Sequence, residues 1–238
     1  YKYLIRSKNS NFLLQNKDDL EFLIKSNITN INKVFKIEGN GIEASKFSNE
    51  QAPISSTKFI MISRLLRDKG VLEFLQAAKS VVNKYHDRNC KFILYGDIDD
   101  ANFNSLSLTD IQPYLTSNIT YAGFNSDIQT CIKNSSVVVL PSYREGFSKV
   151  LMEAQASARP VITSNVTGCK DAILNGSTGF LVEPMNANDL QEKIEFFILN
   201  SDLVFDMGQA AYEHAVNNFT IQKAIDEHIE MFSAILSD

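Results

Sequence analysis

Short β-branched runs alternate with amphipathic stretches along most of this chain, and that alternation restricts its fold more than any other feature. Val137–Leu140 is apolar on both faces, as a strand buried in a parallel sheet must be. Seven segments read as strands: Phe35–Glu38, Lys58–Ser63, Cys90–Tyr95, Ile119–Ala122, Val137–Leu140, Pro160–Thr163 and Gly179–Val182. Val71–Tyr85 repeats apolar residues at helical intervals, Asp127–Lys133 is a shorter helix, and Ser148–Ala158, Leu190–Leu199 and Leu203–Ala215 follow. Ile221–Leu236 closes the chain with Ile225, Ile229, Phe232 and Leu236 on one face. The pattern predicts an α/β fold built on a doubly wound parallel sheet. A polar, turn-rich stretch between about Glu38 and Lys58, including Gly39-Asn-Gly41 and Ser45–Ser56, marks a domain seam. Ahead of it, Phe12-Leu-Leu-Gln15 and Asp18–Ile24 read as a strand and a helix outside the main domain.

Ligands of open parallel sheets sit beyond the carboxyl ends of the strands, so the residues just past each strand carry the functional signal. Lys58–Ser63 runs into Arg64, Arg67 and Lys69, a cationic loop feeding a helix start. Arginine's planar fork and lysine's point charge suit a diphosphate, and two of them can neutralise one without a metal. Gly96-Asp97 follows the next strand and Gly123-Phe-Asn125 the one after it. Val137–Leu140 leads into Pro141-Ser-Tyr-Arg-Glu-Gly-Phe-Ser-Lys-Val-Leu-Met-Glu153, which places Glu145 in the loop and Glu153 on the helix. Gly146 admits close approach of a ligand, and the helix start offers free N–H groups to an anion. Pro160–Thr163 precedes Ser164-Asn165 and Gly168-Cys-Lys-Asp171. Each segment alone has an ordinary reading as a turn or a solvated face. Their recurrence at five consecutive strand ends favours one cleft for a polyhydroxylated, phosphorylated molecule.

Composition narrows the alternatives. With 44% hydrophobic and 21% charged residues the chain buries a real core, and a net charge of −5 argues against nucleic acid as a partner. No apolar run approaches the ~20 residues that span a bilayer. The first residue is Tyr1 rather than Met, and a truncated chain is the simplest expectation. Cys90, Cys131 and Cys169 lie too far apart for a Cys-x-x-Cys pair, and His86, His214 and His228 have no carboxylate at a telling spacing. Neither a metal centre nor a histidine-based catalyst is expected. There is no Gly-x-x-x-x-Gly-Lys-Ser/Thr loop and no serine–histidine pair to anchor a P-loop or hydrolase reading.

Taken in order, these residues resemble the carboxyl-terminal, donor-binding domain of the GT-B retaining glycosyltransferases of group 1 (family four). Asn16-Lys-Asp-Asp19 resembles the last strand-to-helix turn of the family's amino-terminal domain. Gly39-Asn-Gly-Ile-Glu-Ala-Ser-Lys-Phe47 is similar to its interdomain segment. Ser63-Arg64 with Lys69-Gly70 resembles its diphosphate loop, Glu145-Gly146-Phe147 through Glu153-Ala154 its signature loop and helix, and Gly179-Phe180-Leu181-Val182 one of its strands. Ser142-Tyr-Arg-Glu-Gly-Phe147 and Gly168-Cys-Lys-Asp171 are similar to the bacterial enzymes that build surface glycans. Two departures stand out: Gly96 lacks a second glycine two residues on, and Ser63 replaces a common glycine.

The resemblance implies a division into residues 1–40, the end of an amino-terminal domain with the interdomain segment, and 41–238, a Rossmann-like nucleotide-sugar domain. It implies that Arg64 and Lys69 bind the diphosphate, that Glu145 contacts donor-sugar hydroxyls and that Glu153 accepts from the ribose. The backbone of Gly146, Phe147 and Ser148 would reach sugar and phosphate, and backbone near Gly123 and Phe124, with Gly96, would line the nucleotide. The expected substrate is a nucleoside-diphosphate sugar, with UDP as the carrier, used without cofactor or metal. A glycan or lipid-linked acceptor would be held by the amino-terminal domain. The protein would be cytoplasmic, with peripheral contact at the inner face of the membrane left open. A non-catalytic nucleotide-sugar-binding module and a GT-B epimerase are the alternatives.

Overall fold

A computed structural model of the chain describes residues 10–29, 31–47, 49–50 and 57–237. Part of the Ser45–Ser56 seam and the first nine residues lie outside the described residues. The described residues form two parallel sheets. The smaller pairs β1 (Phe12–Leu14) with β2 (Val34–Lys36), joined through helix α1 (Lys17–Lys25). The larger has six strands: β3 (Thr57–Ile62), β4 (Cys90–Tyr95), β5 (Ile119–Gly123), β6 (Val137–Leu140), β7 (Val161–Ser164) and β8 (Gly179–Val182). Their spatial order is β5-β4-β3-β6-β7-β8, all parallel.

That order reverses between β3 and β6. Connections run outward from this central pair in both directions, so the loops at their carboxyl ends diverge and leave a crevice, the switch point where open sheets bind ligands. Helices α2 (Val71–Lys84), α3 (Leu108–Ile111), α4 (Ile128–Lys133), α5 (Lys149–Ala156), α6 (Ala187–Leu199) and α7 (Leu203–Asn218) flank the sheet, and α8 (Ile221–Ser237) ends the chain. Every residue of β6 and β7 is buried, which requires cover on both faces. Helix α2 packs with α6, and α5 with α7. Phe59 stacks on Phe92 at 5.1 Å between ring centroids, and Phe74 of α2 meets Phe92 edge-on, locking helix to sheet.

Local chemistry sets the helix ends. Asp127 caps α4 by accepting from Thr130 N at 3.0 Å, and Asn186 caps α6 by accepting from Asn188 N and Asp189 N. Helix α5 stops two residues short of the expected Ala158, because Ala158 turns left-handed at φ 54°. Helix α8 forms as its periodicity predicts, yet Ile225, Ile229, Phe232 and Leu236 are exposed rather than packed into the core. Periodicity marks a face and not what covers it.

Arg159, 1% exposed, is the largest fully buried side chain and was not legible as a structural residue in the sequence. It donates to the carbonyls of Ser135 (2.7 Å), Lys133 (2.6 Å), Ser157 (2.7 Å) and Glu50 (2.8 Å), gathering the chain ends of α4 and α5 beneath the sheet. Burial lowers its guanidinium to about 10, which leaves it charged at neutral pH. Helix carboxyl termini favour that cation. Arg159→Met should lower unfolding stability by roughly 3 kcal/mol, since several buried carbonyls lose their donor. Denaturant titration should show a lower midpoint at an unchanged slope.

Candidate nucleotide-sugar site

The first wall of the crevice is the loop after β3. Leu65 and Leu66 are buried and anchor it, while a bond from Leu65 N to Asp97 O (2.9 Å) stitches it to the loop after β4. A short 3₁₀ turn, Arg67–Lys69, ends on Gly70 at φ 76°, and a Cβ there would lie 2.1 Å from the Pro141 carbonyl oxygen. Only glycine lets the β3 loop cross the β6 loop this closely. Asp68 O then accepts from Tyr143 N (2.8 Å) and from Ser142 Oγ (3.1 Å). The crossing brings Lys69 Nζ to 2.7 Å from Glu145 Oε1, both side chains less than a fifth exposed.

The Glu145 loop rests in turn on the loop after β7. Glu145 N donates to Thr167 O at 3.1 Å, and Gly168, at φ 76°, sits where a Cβ would lie 2.2 Å from the Glu145 carbonyl oxygen. Among the described residues, the backbone N–H groups of Gly146, Phe147 and Ser148 find no acceptor within the protein, and no side chain caps the start of α5. These are donors available to an anion. The Phe147 side chain is not: it is buried against Phe219, ring centroids 5.4 Å apart, so only its backbone can serve the site.

Beside these loops opens a cleft of about 400 Å³ whose walls include Arg64, Gly96, Asp97, Phe124, Asn125 and Glu153. Arg64 Nη1 lies 2.9 Å from Asp99 Oδ2. Lys149 Nζ lies 3.5 Å from Glu153 Oε1, with the carboxylate largely buried and the lysine exposed. The structure therefore brings Arg64, Gly96, Phe124 and Glu153 together around one cavity. Lys69 and Glu145 stand in the adjoining crossed loops, joined to the cleft through Gly146–Ser148 and the start of α5.

Three expectations change in detail. Arg67 does not join Arg64 and Lys69 but faces Asp110 at 3.5 Å, half exposed. Gly96 lines the cavity and is required by packing as well, since a Cβ there would lie 1.7 Å from the Ser63 carbonyl oxygen. Gly123 is absent from the cavity wall; its carbonyl accepts from Gly96 N at 2.9 Å and holds the wall in place. Tyr95 and Ile128 also line the cleft and were missed, because as strand and helix residues they read as core. Lys149 was legible only as an i,i+4 partner of Glu153. Among the described residues, no group of three or more His, Cys, Asp or Glu is placed to hold a metal ion, and no helix is long and apolar enough to cross a membrane.

A parallel sheet reversing between β3 and β6, with cationic loop, acidic helix and uncapped amides at that reversal, is the Rossmann-like half of a GT-B glycosyltransferase. Residues 43–214 match the family described as glycosyl transferases group 1, and the chain belongs to that family. It is 32% identical over 230 residues to the capsular polysaccharide biosynthesis glycosyltransferase CapM of Staphylococcus aureus, covering 91% of this chain and 59% of that protein. It is 29% identical over 222 residues to the N,N'-diacetylbacillosaminyl-diphospho-undecaprenol alpha-1,3-N-acetylgalactosaminyltransferase of Campylobacter jejuni, covering 86% and 55%. The chain thus spans little more than half the length of these relatives. Among solved structures, a glycosyltransferase from Rickettsia africae superposes with a TM-score of 0.85 at 26% identity, over 100% of this chain and 67% of that one. Anabaena Alr3699/HepE, solved with UDP and glucose, superposes with a TM-score of 0.82 at 18% identity over 94% and 63%, a likeness of fold.

Burial raises the Glu153 carboxyl above its ordinary range, against the opposing pull of Lys149. The native state thus binds this proton more readily than the unfolded chain, so ionised Glu153 costs stability above the raised range. The cost fades as pH falls through that range and is gone below the unfolded value. Glu153→Gln should therefore make the ligand-free protein more stable at neutral pH, with the gain vanishing near about pH 4. Denaturant midpoints at the two pH values check it.

Proposed function

We propose that this chain is the donor-binding part of a retaining glycosyltransferase that moves a sugar from a nucleoside-diphosphate sugar, with UDP as carrier, to a hydroxyl of a glycan or lipid-linked acceptor. One observation carries the reading: Arg64 and Glu153 share a cleft at the sheet's switch point, and Lys69 and Glu145 meet in the loops beside it. Cations and uncapped amides suit the diphosphate, and carboxylates suit the sugar and ribose hydroxyls. The relatives' names, which include a UDP-Gal:alpha-D-GlcNAc-diphosphoundecaprenol alpha-1,3-galactosyltransferase of Escherichia coli, favour a surface-glycan role and a lipid-linked acceptor.

In the proposed reaction the anomeric C–O bond to the diphosphate breaks and the acceptor oxygen bonds to the same face of the sugar. The acceptor's proton passes to the departing phosphate. Negative charge grows on the leaving group, and Arg64, Lys69 and the amides of Gly146–Ser148 are fixed donors for it, with no metal or cofactor assigned a part. Glu145 holds sugar hydroxyls and Glu153 the ribose; backbone at Gly96 and Phe124 faces the base, and Gly123 supports that wall. The division at residues 40 and 41, the acceptor site on an amino-terminal domain and a cytoplasmic setting belong to the same proposal. Under it, this chain alone binds donor and transfers little sugar.

Calorimetric titration with UDP, ADP, GDP and their sugars tests donor binding; UDP compounds should bind tightest, and no heat from any nucleotide would end the reading. In the full-length, two-domain protein, Lys69→Ala should lower turnover by ~10²–10³-fold, the usual cost of losing a donor to developing negative charge. Transfer kinetics at saturating donor measure it, and also separate a transferase from a binding module.

A further inference from the structure

Asn16 is 1% exposed, a rare setting for an asparagine at the edge of a domain. Its Oδ1 accepts from Asp19 N at 2.8 Å and caps α1. Serine, threonine or aspartate would cap as well. The other half of the amide has a different use: Nδ2 donates to Asp19 Oδ2 (2.9 Å) and, 130 positions along the chain, to the Gly146 carbonyl (3.1 Å). Nearby, Arg144 donates to Asp19, and Asp18 accepts from Thr167 Oγ1 (2.7 Å) and pairs with Lys170 (2.8 Å). These polar contacts from Asn16, Asp18 and Asp19 fall on the two loops that hold Glu145.

The Gly146 carbonyl and the Phe147 N–H belong to one planar trans peptide unit and point in opposite directions. A donor that fixes the carbonyl therefore fixes the N–H. With the carbonyl turned to Asn16, the Phe147 N–H faces the other way, and it has no acceptor among the described residues. Released, the unit could rotate and present a carbonyl where the donor belongs, replacing attraction for an anion by repulsion.

We propose that Asn16 is a positioning residue that aims the Phe147 N–H, and with it the Glu145 loop, at the diphosphate and sugar of the donor. This rests on the nucleotide-sugar reading above. Arg144 and Asp19 assist as an exposed pair, 70% and 34% accessible, whose worth alone is small.

The test compares ligands that reach this peptide with one that stops short of it. UMP, UDP, UDP-glucose and UDP-galactose are titrated calorimetrically into the wild-type chain and into Asn16→Ser, which keeps the cap and loses the bond to Gly146. UMP affinity should hold, while the tightest UDP ligand weakens ~10-fold, the scale of one hydrogen bond to a charged group. A purely structural role would weaken all ligands in parallel or none. Should Asn16→Ser fail to fold, Asn16→Thr, which also keeps the cap and lacks the amide donor, decides: it should lower the UDP-to-UMP affinity ratio. An unchanged ratio in the folded variant overturns the inference and leaves the donor reading standing. No heat from any ligand on the wild-type chain ends both.

Discussion

The crossing of Gly70 over the Pro141 carbonyl is the contact on which the candidate site depends. A Cβ at residue 70 would fall 2.1 Å from that oxygen, so the two loops could not approach. Because they do, Asp68 can accept from both Ser142 and Tyr143, and Lys69 meets Glu145 across 76 positions of sequence. The sheet supplies the precondition. Strands β3 and β6 are neighbours in space with their connections running apart, which leaves their carboxyl-end loops free to fold toward each other over the crevice.

The cations of this region rest on acids: Arg64 on Asp99, Lys69 on Glu145, Lys149 on Glu153. The pairs differ in weight. Arg64 and Lys149 are more than half exposed, where such contacts contribute little beyond holding a long side chain in one rotamer. Lys69 and Glu145 are mostly shielded from water, so their attraction is less screened and their order greater. Any anion entering the crevice competes for cations already placed, and its gain is reduced by the pairs it replaces. That exchange lowers affinity for an anion while keeping the geometry of the cations.

Much of this was legible in the sequence, for identifiable reasons. Val137–Leu140 matches its strand residue for residue, because burial on both faces leaves an unbroken apolar signature, and Cys90–Tyr95 matches too although Lys91 interrupts it and its burial alternates. Arg64, Gly96, Phe124 and Glu153 were reachable because open sheets send ligands to their carboxyl ends, and position along the chain then translates into position in space. Side-chain direction did not translate. Arg67 looks equivalent to Lys69 in sequence, yet a 3₁₀ turn sends it to Asp110. Arg159 looks like a surface charge after a helix; four carbonyls from three segments make it a core residue, and no local pattern encodes that convergence. Asn16 reads as an ordinary cap, since its second partner is too distant to suggest itself.

Charge at the level of the whole chain points the other way from charge at the site. The net balance is −5, which by itself disfavours an anionic donor. Screening resolves the conflict: at physiological ionic strength fields decay over about 8 Å, so dispersed surface carboxylates count for little at the crevice mouth. What an anion would meet there is short-ranged, namely Arg64, Lys69 and the oriented amides before α5. Peptide dipoles need no counter-charge and are not titrated away, so their contribution persists where side-chain pairs compete. Attraction of an anion to this crevice would therefore lean on backbone geometry, and the contacts that hold the peptide planes would matter as much as the cations.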